Sequence, residues 1–125
     1  MPALAALLCL ALVAVTLGPA SAADDEAELA KVRADIIKMI GKAPCATLVH
    51  CRALALGTRP CGGPDEYLAY SSILMEKDRL ENLAADYTLI QEELKRSSGQ
   101  VGACVMLPQP RLACVEGRCR INEAP

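Results

Sequence analysis

Phenylalanine and tryptophan are absent from this 125-residue chain, and tyrosine occurs only three times. A core built around large aromatic anchors is therefore excluded, and the interior falls to Leu, Ile, Val, Met and Ala. The same absence argues against nucleic acid, because base stacking has almost no aromatic platform to use. A net charge of −2, from 13 basic and 15 acidic residues, and a pI near 5.4 point the same way. Arg111, Arg118 and Arg120 are the one basic cluster, and such residues usually solvate an edge strand and discourage aggregation. Histidine occurs once, as His50. No Gly-x-Ser-x-Gly elbow surrounds Ser71, Ser72, Ser97 or Ser98, so a serine triad has little to start from. No glycine-rich phosphate motif follows a strand pattern either.

Charge is also missing from the first 22 residues, which contain no Lys, Arg, Asp or Glu. Residues 3–17 form an apolar run broken by Gly18-Pro19 just before Ala20-Ser21-Ala22, a small-residue cleavage signature. The run is shorter than the roughly 20 apolar residues a membrane span needs, and an acidic segment follows it. Residues 1–22 are therefore expected to be a signal peptide cleaved after Ala22, although the usual basic residues ahead of the apolar run are lacking. Cys9 follows Leu8 rather than a small residue, which speaks against lipidation. Residues 23–125 are expected to form one small domain, since a chain of that length is too short for two independent cores.

Cleavage would remove Cys9 and leave Cys45, Cys51, Cys61, Cys104, Cys114 and Cys119, an even set that reads as a disulfide framework in an exported chain. Spacing weights the pairings without fixing them. Glu116-Gly117 between Val115 and Arg118 looks like a two-residue hairpin turn, which places Cys114 opposite Cys119. Cys45 with Cys51 closes a second short loop, leaving Cys61 with Cys104 to join the two halves of the chain.

Helical signals cover residues 25–40 and 78–96. In the first, Leu29, Val32, Ile36, Ile37 and Ile40 recur at helical spacing. In the second, Leu80, Leu83, Ala84, Tyr87, Ile90 and Leu94 do so. Asp25 with Glu28 and Asp78 with Glu81 have capping-box spacing, while Gly41 and Gly99 mark the ends. Residues 52–57, 67–71, 101–107 and 112–121 are β-permissive, although residues 65–74 also fit a helix. The expected fold is α+β: two amphipathic helices packed on a small antiparallel sheet with a terminal hairpin, stapled by three disulfides.

His50 lies beside Cys51 and near Cys45, and imidazole with thiolates suits zinc or copper. Disulfide formation would consume the two thiolates, so no metal site and no cofactor are assigned. The carboxylate groups 24–26, 65–66 and 92–93 belong to helix starts and polar faces, which leaves a hydrolase a distant reading. The run Cys61-Gly62-Gly63-Pro64 suits a tight anchored turn, and two glycines also permit close approach to a partner. Arg59, Gly62, Gly63, Pro64, Tyr67 and Tyr70 form the candidate interaction loop.

Cys51, Gly57, Cys61-Gly62-Gly63-Pro64, Tyr67-Leu68-Ala69-Tyr70-Ser71, Asp78, Cys104, Pro110, Cys114, Gly117 and Cys119 together form a pattern. It resembles a family of uncharacterised small exported bacterial cysteine-rich proteins, over residues 45–119. That resemblance implies a bacterial source and a periplasmic or secreted location, and it carries no activity and no site residues. The functional expectation is a non-enzymatic exported binding, inhibitory or envelope accessory module presenting the loop from Arg59 to Tyr70. Its partner class is another extracytoplasmic protein, with no nucleic acid and no membrane span after cleavage. The competing expectation is an extracytoplasmic protein that handles zinc or copper.

Overall fold

A computed structural model describes residues 22–74, 76–99, 102 and 104–122 of the chain, so all of the expected signal peptide 1–22 except Ala22 lies outside the described residues. The elements are helix α1 (Ala22–Ile40), a single 3-10 turn (Leu48–His50), strands β1 (Cys51–Leu56) and β2 (Glu66–Ser71), helix α2 (Lys77–Ser98), and strands β3 (Arg111–Val115) and β4 (Arg118–Asn122). The architecture is α+β, with two two-stranded antiparallel sheets in place of the one small sheet expected: β1 pairs with β2 and β3 with β4. No helix among the described residues is long and apolar enough to cross a membrane.

The helix ends follow the sequence signals, and the starts do not. Gly41 at φ +56° and Gly99 at φ +64° terminate α1 and α2 in the left-handed conformation that glycine adopts at least cost. Both helices begin ahead of their expected caps. α2 is preceded by Glu76, which makes no side-chain capping hydrogen bond, and Asp78 lies inside the first turn, as does Asp25 in α1. In α2, Asp78 favours the helix through the N-terminal dipole instead of through a capping box.

Residues 66–71 are strand, settling the ambiguity at 65–74 in favour of β structure, because Glu66 to Ser71 pair in register with Leu56 to Cys51. The β3–β4 hairpin turns at Glu116-Gly117, both with positive φ as a two-residue primed turn requires. Gly102 and residues 104–110 form no strand, contrary to the expectation for 101–107. Pro108 and Pro110 limit what a ladder could satisfy there.

Alternation along β1 and β2 sends side chains to two different interiors. Leu54, Leu56 and Tyr70 meet Ile36 of α1 and Leu80, Ala84 and Tyr87 of α2, with Leu68 packed against this cluster. Cys51 and Ala69 belong to the opposite cluster with Ala43, Cys119, Cys45, Leu112 and Cys114. The first sheet is thus covered on one side by helices and on the other by the second hairpin. Small residues on the second side, Ala53 opposite Ala69, leave room for disulfides.

Tyr70, expected in the interaction loop, is instead a core residue at 4% exposure. Its position two residues beyond Leu68 on the strand places its ring on the helix side. Burial pushes the Tyr70 phenol above the ordinary value of 10.0, with Glu81 adding to the shift. Burial raises Tyr87 as well, with Glu66 contributing. A phenol harder to ionise in the folded state than in the unfolded chain contributes stability that is fully present below pH 10.0. That contribution is lost as pH rises through the folded-state value. Phenolate absorbance should therefore show two tyrosines ionising late, together with unfolding. Reversible ionisation of all three tyrosines in a folded chain would contradict this.

Candidate functional site

Two regions concentrate the polar and covalent chemistry. The first is the loop joining β1 to β2. Gly57 at φ +74° starts it, and a Cβ there would meet Gln91 Oε1 at 2.5 Å and Asp65 Oδ2 at 2.9 Å. Helix α2 grips the loop's base: Gly57 N donates to Thr88 Oγ1 at 3.1 Å and Thr58 N to Gln91 Oε1 at 2.9 Å. Lys95 Nζ donates to Thr58 O, to Asp65 Oδ2 at 2.8 Å and to Gln91 Oε1 at 3.2 Å. Gly57→Ala should accordingly cost about 1–3 kcal/mol, from backbone strain plus collision with this network. Denaturant unfolding of that variant checks it, and an unchanged midpoint would show that the network yields without cost.

Within the loop, Arg59 N donates to Gly63 O at 2.9 Å and Gly62 N to Arg59 O at 3.0 Å, so the segment closes on itself as a turn. Gly62 (φ +96°) and Gly63 (φ +77°) are required by the backbone, and a Cβ at Gly62 would meet nothing within 4 Å. These glycines are turn residues. Gly102 and residues 104–106 lie across the turn as a strap. The disulfide Cys61–Cys104 fastens it, Arg59 Nη1 donates to Val105 O at 3.0 Å, and a Cβ on Gly63 would lie 3.9 Å from Met106 Cε. Arg59 Nε, buried with no hydrogen-bond partner among the described residues, lies 3.8 Å from Asp65 Oδ1. Val105 and Met106 are 58% and 65% exposed on this strap. They fall in the stretch 101–107 expected to be strand, and they are not among the residues of the candidate interaction loop. The available signal was the apolar Val105-Met106-Leu107 between Cys104 and Pro108.

Beside the loop opens a cleft of about 580 Å³. Asp65, Glu66 and Tyr67 line one wall, and residues 107–111 with Ile121 and Asn122 line the other. Tyr67 thus remains with the candidate surface while Tyr70 leaves it. The two carboxylates of the cleft are held by cations: Asp65 by Lys95, and Glu66 by a two-pronged contact from Arg33 at 3.0 and 3.1 Å. The Glu66 hydrogen bond raises the Arg33 pKa above its usual value. These pairs tie strand β2 to both helices, a structural task.

The second region is the sulfur cluster. The bridges are Cys45–Cys114, Cys51–Cys119 and Cys61–Cys104. The last matches expectation, and the local pairs Cys45 with Cys51 and Cys114 with Cys119 do not form. Cys114 and Cys119 do face each other across the hairpin, but the segment before β1 docks on that hairpin and captures both. Cys45 N donates to Gly117 O at 3.0 Å and Cys119 N to Ala43 O at 2.8 Å, with Pro44 bridged to Arg118. The sulfurs of Cys45, Cys51 and Cys119 lie within 4.8 Å of one another. His50 is not in this cluster. Its Nδ1 accepts from Ala46 N at 3.0 Å, and the Cys45, His50, Cys51 set of the competing metal reading is not assembled.

Among the described residues, two helices, two antiparallel ribbons and three disulfides define a stapled α+β scaffold. No protein-family model, curated protein or solved structure matches it.

Proposed function

We propose that the chain is a non-enzymatic, exported binding module of the bacterial envelope or exterior. Its contact surface is the turn of Arg59, Gly62, Gly63 and Pro64, together with Val105, Met106 and the adjoining cleft at Tyr67. The observation that carries this reading is the strap, where two large apolar side chains stand exposed at 58% and 65% on backbone fastened by Cys61–Cys104. Exposed apolar side chains cost solubility, and methionine adapts its shape to a partner surface. A loop ordered in advance by a disulfide and by Lys95 loses little entropy on binding. Export is supported by the uncharged apolar start and its small-residue break, and by three disulfides, which persist in oxidising compartments.

The test is a photoreactive residue placed at Met106 or, as a control, at Leu89 on α2, which is 63% exposed, in full chain produced by a bacterium that exports it. A discrete adduct with an extracytoplasmic protein at position 106 is expected, absent at 89 and weakened by Tyr67→Ala. Equal labelling from both positions, or a product retained in the cytoplasm, would overturn the proposal.

A further inference from the structure

We infer that Cys45, Cys51, Cys114 and Cys119, once reduced, form a tetrathiolate site for a thiophilic cation, with zinc as the fitting ion. The inference is independent of the loop surface. Three of the four sulfurs already lie within 4.8 Å of one another, and the fourth, on Cys114, is bonded to Cys45. Four thiolates around zinc at about 2.3 Å stand about 3.8 Å apart, so the set needs only small side-chain movement to close on an ion. Two thiols come from the segment at residues 45–51 and two from the hairpin at 114–119, giving two short-spaced ligand pairs on opposing turns. Cys51 and Cys119 are 4% and 7% exposed, among Ala43, Ile40, Ala69 and Leu112. Such surroundings exclude competing water and strengthen thiolate attraction to a divalent cation.

In the folded state the backbone also places these cysteines, and metal binding by the reduced chain is coupled to its folding. Backbone hydrogen bonds from Cys45 N to Gly117 O and from Cys119 N to Ala43 O hold the same two segments together. Reduction breaks the Cys45–Cys114 and Cys51–Cys119 bonds, each taking two electrons and two protons from an external dithiol, which becomes a disulfide. Zinc then displaces the four thiol protons as four zinc–sulfur bonds form. The oxidised state thus carries the two staples and the reduced state a metal staple at the same point of the fold.

The test titrates cobalt(II) into full chain reduced by a phosphine under anaerobic conditions, with circular dichroism recorded alongside. One cobalt per chain is expected, with the visible bands of tetrahedral thiolate coordination and displacement by one zinc. Cys119→Ser should weaken binding by more than roughly 100-fold, since even outer-shell changes cost 10–100-fold. Replacing Cys61 and Cys104 by serine should leave affinity and spectrum unchanged. Octahedral cobalt bands, equal impairment by the Cys61 and Cys104 change, or a reduced chain that neither folds nor binds with excess metal would each overturn the inference.

Discussion

Removing both bridges of the sulfur cluster should destabilise the chain by more than the sum of removing each alone. Cys45–Cys114 and Cys51–Cys119 span sequence separations of 69 and 68. In the chain-entropy model one loop of that length restrains the unfolded state by about 4 kcal/mol. The two loops are nearly the same loop, however. With one bridge closed, the other restrains only the small ring made by residues 45–51 and 114–119, worth about 3 kcal/mol. Either pair replaced by alanine should therefore cost about 3 kcal/mol, while all four replaced should cost about 7 kcal/mol. The larger figure falls within the whole stability of a typical small domain, about 5–15 kcal/mol, so the quadruple variant is expected to be largely unfolded at 37 °C. Denaturant unfolding of the three variants, with disulfide mapping by mass spectrometry, decides it. Additive costs of the two double replacements would show that the bridges act on separate loops, as the local pairing of Cys45 with Cys51 and Cys114 with Cys119 would have it.

That local pairing shows where the sequence stops being informative. The turn at Glu116-Gly117 and the facing of Cys114 and Cys119 are local consequences of two positive φ angles and strand alternation, and both are legible from the residues. Which sulfur each cysteine meets depends on the docking of residues 43–45 against the hairpin. Those contacts bridge more than 70 positions, and no periodicity encodes them. Glycine at both helix ends was equally local and readable. The helix starts were not, because a carboxylate at the cap and one in the first turn look alike in sequence.

The proposed contact surface divides in the same way. Arg59, Gly62, Gly63 and Pro64 announce a turn by composition, and a turn is what they make. Tyr67 and Tyr70 lie three apart, and on a strand this spacing sends them to opposite faces, one to the cleft and one to the helix core. Counting them together presumed a shared face that only a helix would supply. The strap residues Val105 and Met106 become visible only when Cys61–Cys104 is closed and Arg59 reaches the Val105 carbonyl.

The core on the helix side should be unusually sensitive to a single truncation. Lacking phenylalanine and tryptophan, it consists of Ile36, Leu54, Leu56, Tyr70, Leu80, Ala84 and Tyr87, so each aliphatic side chain is a large share of the buried apolar surface. Leu80 is fully buried in the first turns of α2, where it meets both α1 and the sheet. Leu80→Ala removes that transfer energy and leaves a cavity between two helices and a sheet whose positions the disulfides and the Arg33–Glu66 pair restrain. Collapse into the void is limited, so the expected cost is about 3–5 kcal/mol, toward the upper part of the range for such changes. Leu89→Ala, on the exposed side of the same helix, should cost no more than about 0.5 kcal/mol. Both variants keep three disulfides, so the unfolded state is equally restrained and the difference reports the folded core. A cost for Leu80→Ala below about 1.5 kcal/mol would mean that the helices close over the gap. In that case the staples, more than side-chain packing, would be what holds this scaffold in one shape.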